Sequence, residues 1–130
     1  MRRNGSILLV LSLLFTIGIA FSQAKLDLTG TWEGPTYAEG PGFDMVFTLV
    51  LEQKNDVITG KLNDDLGYID SDITEVTLTD GVLTFEAVAN SPEGEIFMSF
   101  TLKCSNSELK GEWDAGGGAA YGEWTATKTP

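Results

Sequence analysis

Histidine is absent from the 130-residue sequence, and cysteine occurs once, at Cys104. Without imidazole there is no Ser–His or Cys–His nucleophile pair and no histidine-based metal site. A single cysteine closes no internal disulfide. It falls in an alternating series with Ile96, Met98, Phe100 and Leu102, which makes it a small buried hydrophobe. Arginine is confined to Arg2 and Arg3. Clustered cations are therefore missing, which excludes nucleic acid as a partner and disfavours anionic membrane surfaces.

The first residues explain where the arginines go. Met1-Arg2-Arg3-Asn4 is a short basic start, and Ile7 to Phe21 is an apolar run broken only by Ser12, Thr16 and Gly18. Small residues follow at Ala20, Ser22 and Ala24, giving A-x-A-like cleavage options. This predicts a secretory signal peptide over residues 1–22, with cleavage after Ser22 or, as the second option, after Ala24. The alternative is an uncleaved anchor, but a spanning helix needs about 20 apolar residues, more than this run offers. No cysteine follows the run, so a lipoprotein anchor is not expected. The expected location is secreted or periplasmic, with no membrane contact after cleavage. The mature chain, 23–130, is then one domain. It keeps all 19 acidic residues against six lysines, so its net charge falls from −11 to about −13.

Period-2 alternation dominates that domain, and no segment carries a helical period. Eight strands are predicted, over Asp27–Gly34, Phe43–Gln53, Val57–Asn63, Ile73–Thr79, Val82–Ala89, Glu95–Cys104, Glu108–Asp114 and Ala120–Lys128. The second puts Phe43, Met45, Phe47, Leu49 and Leu51 on one face, opposite Asp44, Thr48 and Glu52. One face is a core and the other is solvent. Residues Phe47–Leu62 echo Met98–Trp113, apolar on apolar, with Asn55 matching Asn106 and Gly60 matching Gly111. Such an echo marks recurring hairpins of a meander. Connections alternate between tight turns at 54–56, 80–81 and 105–107 and longer ones at 35–42, 64–72, 90–94 and 115–119. In an up-and-down meander, alternate connections share a rim. The predicted fold is an all-β, eight-stranded antiparallel up-and-down barrel, with one closed end and one long-loop mouth.

Gly30-Thr31-Trp32 on the first strand and Lys128 on the last make the chain resemble the lipocalin-like (calycin) barrels, specifically short exported bacterial members. The resemblance implies that Lys128 packs over the Trp32 indole at the closed end. The usual basic residue of that family is more often Arg, and no room follows Lys128 for the helix that larger members carry after the barrel. Leu28-Thr29-Gly30-Thr31-Trp32 also looks like the opening strand of avidin-like barrels. However, Gly34 stands where a polar biotin contact belongs, so biotin is not expected.

The interior is the candidate binding site. Phe43, Met45, Leu62, Ile96, Met98 and Trp113 are expected toward the mouth, with Phe47, Phe85 and Trp124 deeper. Apolar walls suit a small-molecule pocket, yet eight strands enclose just enough space for their own side chains to fill. Glu39, Asp64, Asp65, Asp70, Asp72, Glu93 and Asp114 crowd the mouth without an inward cation, so a neutral or cationic apolar ligand is expected rather than a fatty acid. No cofactor is expected. Asp64, Asp65, Asp70 and Asp72 are the one conceivable calcium cluster, but they lack EF-hand spacing and its bidentate Glu, and a solvated turn is the preferred reading. No enzymatic role is expected, because Glu33, Glu52, Glu86, Glu112 and Glu123 all alternate outward. The competing function is a protein-binding module, such as a protease-inhibitor-like barrel with a packed interior. The 35–42 loop and outward Val46, Val50 and Phe97 would then be its surface.

Overall fold

The computed structural model describes residues 26–130, and the expected signal segment lies outside the described residues. Nine strands follow: β1 (Gly30–Ala38), β2 (Phe43–Lys54), β3 (Val57–Asp64), β4 (Asp70–Asp72), β5 (Thr74–Thr79), β6 (Val82–Ser91), β7 (Gly94–Cys104), β8 (Glu108–Ala115) and β9 (Ala120–Lys128). Their order in the sheet is β4-β3-β2-β1-β9-β8-β7-β6-β5, and every neighbouring pair is antiparallel. The sheet is an up-and-down meander rolled until β1 meets β9, leaving a nearly closed all-β barrel.

The ninth strand, β4, lies within the expected 64–72 connection, just ahead of the expected strand Ile73–Thr79. The stretch 70–79 pairs with β3 through β4, breaks at Ile73, and then pairs with β6 through β5. It thus passes from one edge of the rolled sheet to the other. A register shift between Thr74 and Thr77, with Glu75 at φ 51°, marks the bulge that re-aims it. Other boundaries also differ from the sequence pattern, β1 beginning at Gly30 rather than Asp27. Pro35–Ala38, expected in a loop, continues β1 opposite Phe43–Val46. Asn90 and Ser91 pair with Glu95 and Gly94, so the β6–β7 connection is a two-residue turn at Pro92-Glu93 rather than a long loop. The mouth rim therefore carries connections at 39–42, 65–69 and 116–119 beside one tight turn. The opposite rim carries those at 55–56, 80–81 and 105–107.

The sequence echo becomes a shared register. Leu49↔Leu62 in the β2–β3 hairpin corresponds to Phe100↔Trp113 in β7–β8, and Leu51↔Gly60 corresponds to Leu102↔Gly111. Glycine is required at both positions by close approach. A Cβ on Gly60 would lie 2.4 Å from the Val50 carbonyl oxygen, and one on Gly111 would lie 1.9 Å from that of Thr101. Both sites are where the strands coil to close the barrel.

Aromatic rings fill the interior. Phe100 stacks on Phe85 at 4.6 Å and meets Phe47, Trp124 and Trp113 at 5.7, 6.0 and 6.5 Å. Below them Leu28, Leu49, Leu51, Leu83, Leu102 and Leu109 are fully buried or nearly so. Leu28 plugs the closed end. Its amide donates to Gln53 Oε1 at 2.9 Å, and its carbonyl accepts the Trp32 indole N–H at 2.9 Å. The Lys128 Nζ stands 5.2 Å from the centre of that indole, across the Trp32↔Lys128 pair of β1 and β9.

Candidate functional site

At the mouth, four of the strands present alanines, too short to reach across. Ala38 ends β1, Ala89 lies near the end of β6, Ala115 ends β8 and Ala120 begins β9. These four alanines leave a cup of about 230 Å³ above the aromatic core. Its floor is Met45, Met98 and Trp113, all buried, and its upper wall includes Phe43, Ile96, Tyr68 and Ile69. Nearly all of the lining is apolar. Binding pockets for small molecules span about 300–1,000 Å³, so the cup holds a small molecule or one end of a longer one.

The wall is held by polar contacts outside the cup. Trp113 Nε1–H donates to Thr36 Oγ1 at 2.9 Å, and the Thr36 hydroxyl donates to the Glu123 carbonyl at 2.6 Å. The indole N–H is thereby satisfied, and the ring offers the cup only its apolar surface. On the other side, the Tyr68 ring stacks on Phe43 with centroids 6.0 Å apart. The Tyr68 carbonyl accepts the Asn90 amide at 2.8 Å, and Ile69 bridges to Ala89. The 65–69 connection is thus fastened across the mouth.

Carboxylates do the fastening. Asp64 accepts the amides of Leu66 and Ile69, at 3.1 and 2.8 Å, and Asp65 accepts that of Val46 at 2.8 Å. Asp70 pairs with Lys61 at 3.3 Å. Three of the four acids that suggested calcium, Asp64, Asp65 and Asp70, are thus engaged by backbone amides or a lysine. Among the described residues, no three His, Cys, Asp or Glu side chains converge on a metal position. Lys54, Lys103, Lys110 and Lys128 lie on the closed-end halves of their strands, whereas Glu39, Asp65 and Glu93 sit in the mouth connections. The potential at the cup is accordingly negative.

Of the residues expected to bind a ligand, Phe43, Met45, Ile96, Met98 and Trp113 line the cup together. Phe47, Leu62, Phe85 and Trp124 do not reach it; they are buried in the packed core beneath its floor. Pro41, Tyr68, Ile69 and the four alanines were missed. Tyr68-Ile69 is the only aromatic–aliphatic pair in the acidic stretch 63–72, a signal that could have placed it on the wall.

No protein-family model matches the chain, and a comparison with curated proteins finds no match either.

Proposed function

We propose that the chain is an exported, lipocalin-like binding protein that takes a small neutral or cationic apolar molecule in the mouth cup, without catalysis. Export rests on the basic-then-apolar pattern of residues 1–22. The cup carries the binding reading: about 230 Å³ of apolar space over a tryptophan, within an acidic rim and with no lysine in its lining. An apolar molecule entering it gains roughly 25 cal/mol for each Å² of apolar surface removed from water. A carboxylate headgroup at the rim would meet like charge.

The test compares octanol, octylammonium and octanoate, one chain with three headgroups, by tryptophan fluorescence titration. Saturable binding of the first two and none of octanoate is expected. Ile96→Trp, which fills the cup, should abolish it. Equal or tighter octanoate binding, or a free fatty acid co-purifying in native mass spectrometry, would overturn the reading. A second reading, a protein-binding module, draws support from the filled interior below the cup, where Phe47, Phe85, Phe100 and Trp124 leave no deep cavity.

A further inference from the structure

The outer face of β7, β8, β9 and β1 carries a groove of about 810 Å³, separate from the cup. Strand register orders its side chains into two rows running across the strands. Ser99 lies opposite Asp114, Asp114 opposite Tyr121, and Tyr121 bridges to Glu39. In the next row Thr101 lies opposite Glu112, and Glu112 opposite Glu123. Tyr37 completes that row, because the β1–β9 register set by Thr36↔Trp124 brings it beside Glu123. Each row therefore reads hydroxyl, carboxylate, then a tyrosine and a carboxylate in opposite orders.

We propose that this groove docks a lysine- or arginine-bearing extended segment of another polypeptide. Four carboxylates face the groove, and among the described residues the only ion pairs are Lys54–Glu52 and Lys61–Asp70, both elsewhere. Glu112 and Glu123 stand directly across from each other, an arrangement that destabilises a sheet and that a cation placed between them relieves. The rings of Tyr37 and Tyr121 are 46% and 52% exposed. They offer faces on which a cation within about 6 Å is attracted.

The third row fixes the direction. Lys103 lies directly opposite Lys110, next to Thr101 and Glu112 on the closed-end side. A basic segment is repelled there, so it runs along the two acidic rows, not down the strands. Four strands about 4.8 Å apart span about 14 Å, the length of about four extended residues at 3.3 Å each. Gly122, in the groove lining, lets β9 approach β1 closely, since a Cβ there would lie 2.4 Å from the Tyr37 carbonyl oxygen. Nucleic acids and anionic glycans are repelled by the same charges.

Tetralysine titrated by calorimetry in low salt should bind saturably. Glu112→Gln with Glu123→Gln should weaken it roughly tenfold, about 1.4 kcal/mol, a loss on the scale of two exposed ion pairs. The double variant should also melt higher, because the facing charges are gone, a readout that does not depend on any ligand. Glu52→Gln with Glu86→Gln, an equal loss of charge on other strands, should leave binding unchanged, as should the cup-filling Ile96→Trp. Equal weakening by both double variants would reduce the effect to net charge and overturn the proposal. So would the absence of saturable tetralysine binding, or binding of neutral cellotetraose in its place.

Discussion

Phe100→Ala is the substitution through which the packed interior can be judged. The ring is 1% exposed and touches four other rings, Phe85, Phe47, Trp124 and Trp113. Truncating a buried phenylalanine costs about 3–5 kcal/mol, made up of lost transfer energy and the void left behind. Ring pairs of this geometry add roughly 0.5–1.5 kcal/mol beyond burial, so the upper part of that range is expected. A domain of this size has about 5–15 kcal/mol in total, and the variant should lose about a third of it or more. The midpoint should fall by at least about 12 °C, at about 4 °C per kcal/mol. Urea unfolding, followed by both circular dichroism and tryptophan fluorescence, measures the loss. Phe100→Leu, which leaves a smaller void, should lose about 1–2 kcal/mol. A Phe100→Ala loss below about 1 kcal/mol, well under the usual cost of such a truncation, would refute the packed-interior account and reopen the barrel as a deep cavity.

Thr36→Val keeps the shape but leaves the buried Trp113 indole N–H without its acceptor, which should cost about 1–3 kcal/mol. Thr36→Ser should restore most of it, and a denaturant series on the three proteins checks both. Gly111→Ala puts a methyl 1.9 Å from the Thr101 carbonyl oxygen. It should cost about 1–3 kcal/mol as overpacking and break the β7–β8 amide protection seen by hydrogen exchange. Burial pushes the Cys104 thiol from 9.0 up to about 11, with the Leu83 backbone hydrogen bond pulling the other way. The fold favours the neutral thiol, so this contribution to stability is whole below pH 9 and is lost as pH rises through 11. Alkylation of the folded protein should keep accelerating to about pH 11, whereas in urea it should level off above pH 9. Identical profiles would contradict the burial.

The alternation is legible in the sequence because period 2 is a property of the extended chain itself. The second strand is the case in point, with Met45, Phe47, Leu49 and Leu51 all buried. Places where neighbours override a residue's usual role are not legible in the same way. Pro35 looks like a strand end, yet it sits inside β1 opposite Val46, at a point where the β1–β9 register skips Gly34 and Pro35. A residue without an N–H is tolerated where the ladder is already slack. Asn90 and Ser91 look like loop, but Ser91 Oγ accepts the Glu93 amide and donates to the Gly94 carbonyl, tightening the turn to two residues. The cup is half legible. Its large residues alternate inward, but its volume is set by Ala38, Ala89, Ala115 and Ala120, and an alanine in an alternating strand gives no hint that it faces a void. The acidic groove is hidden for a different reason. Outward glutamates look solvated one at a time, and only the β8–β9 register puts Glu112 beside Glu123.

The break at Ile73 bears on how the cup fills. On one side β1 and β9 close the sheet through Trp32↔Lys128, Glu33↔Thr127 and Thr36↔Trp124. On the other, its two edges are joined through the stretch 68–79: the Tyr68 carbonyl accepts the Asn90 amide and Ile69 bridges to Ala89 at the mouth, while Ile73 N–H donates to the Gly60 carbonyl at 3.0 Å and Ser71 Oγ accepts the Val88 amide at 3.0 Å. Near the closed end, Ile58, Val76 and Leu78 border a gap of about 190 Å³ rather than a ladder. Parting of the two edges there would leave every ladder from β3 round to β6 intact. Ile69, on the cup wall, belongs to the same stretch. Were the proposed ligand too large to slip past the stacked Tyr68 and Phe43, its entry and exit would require that parting.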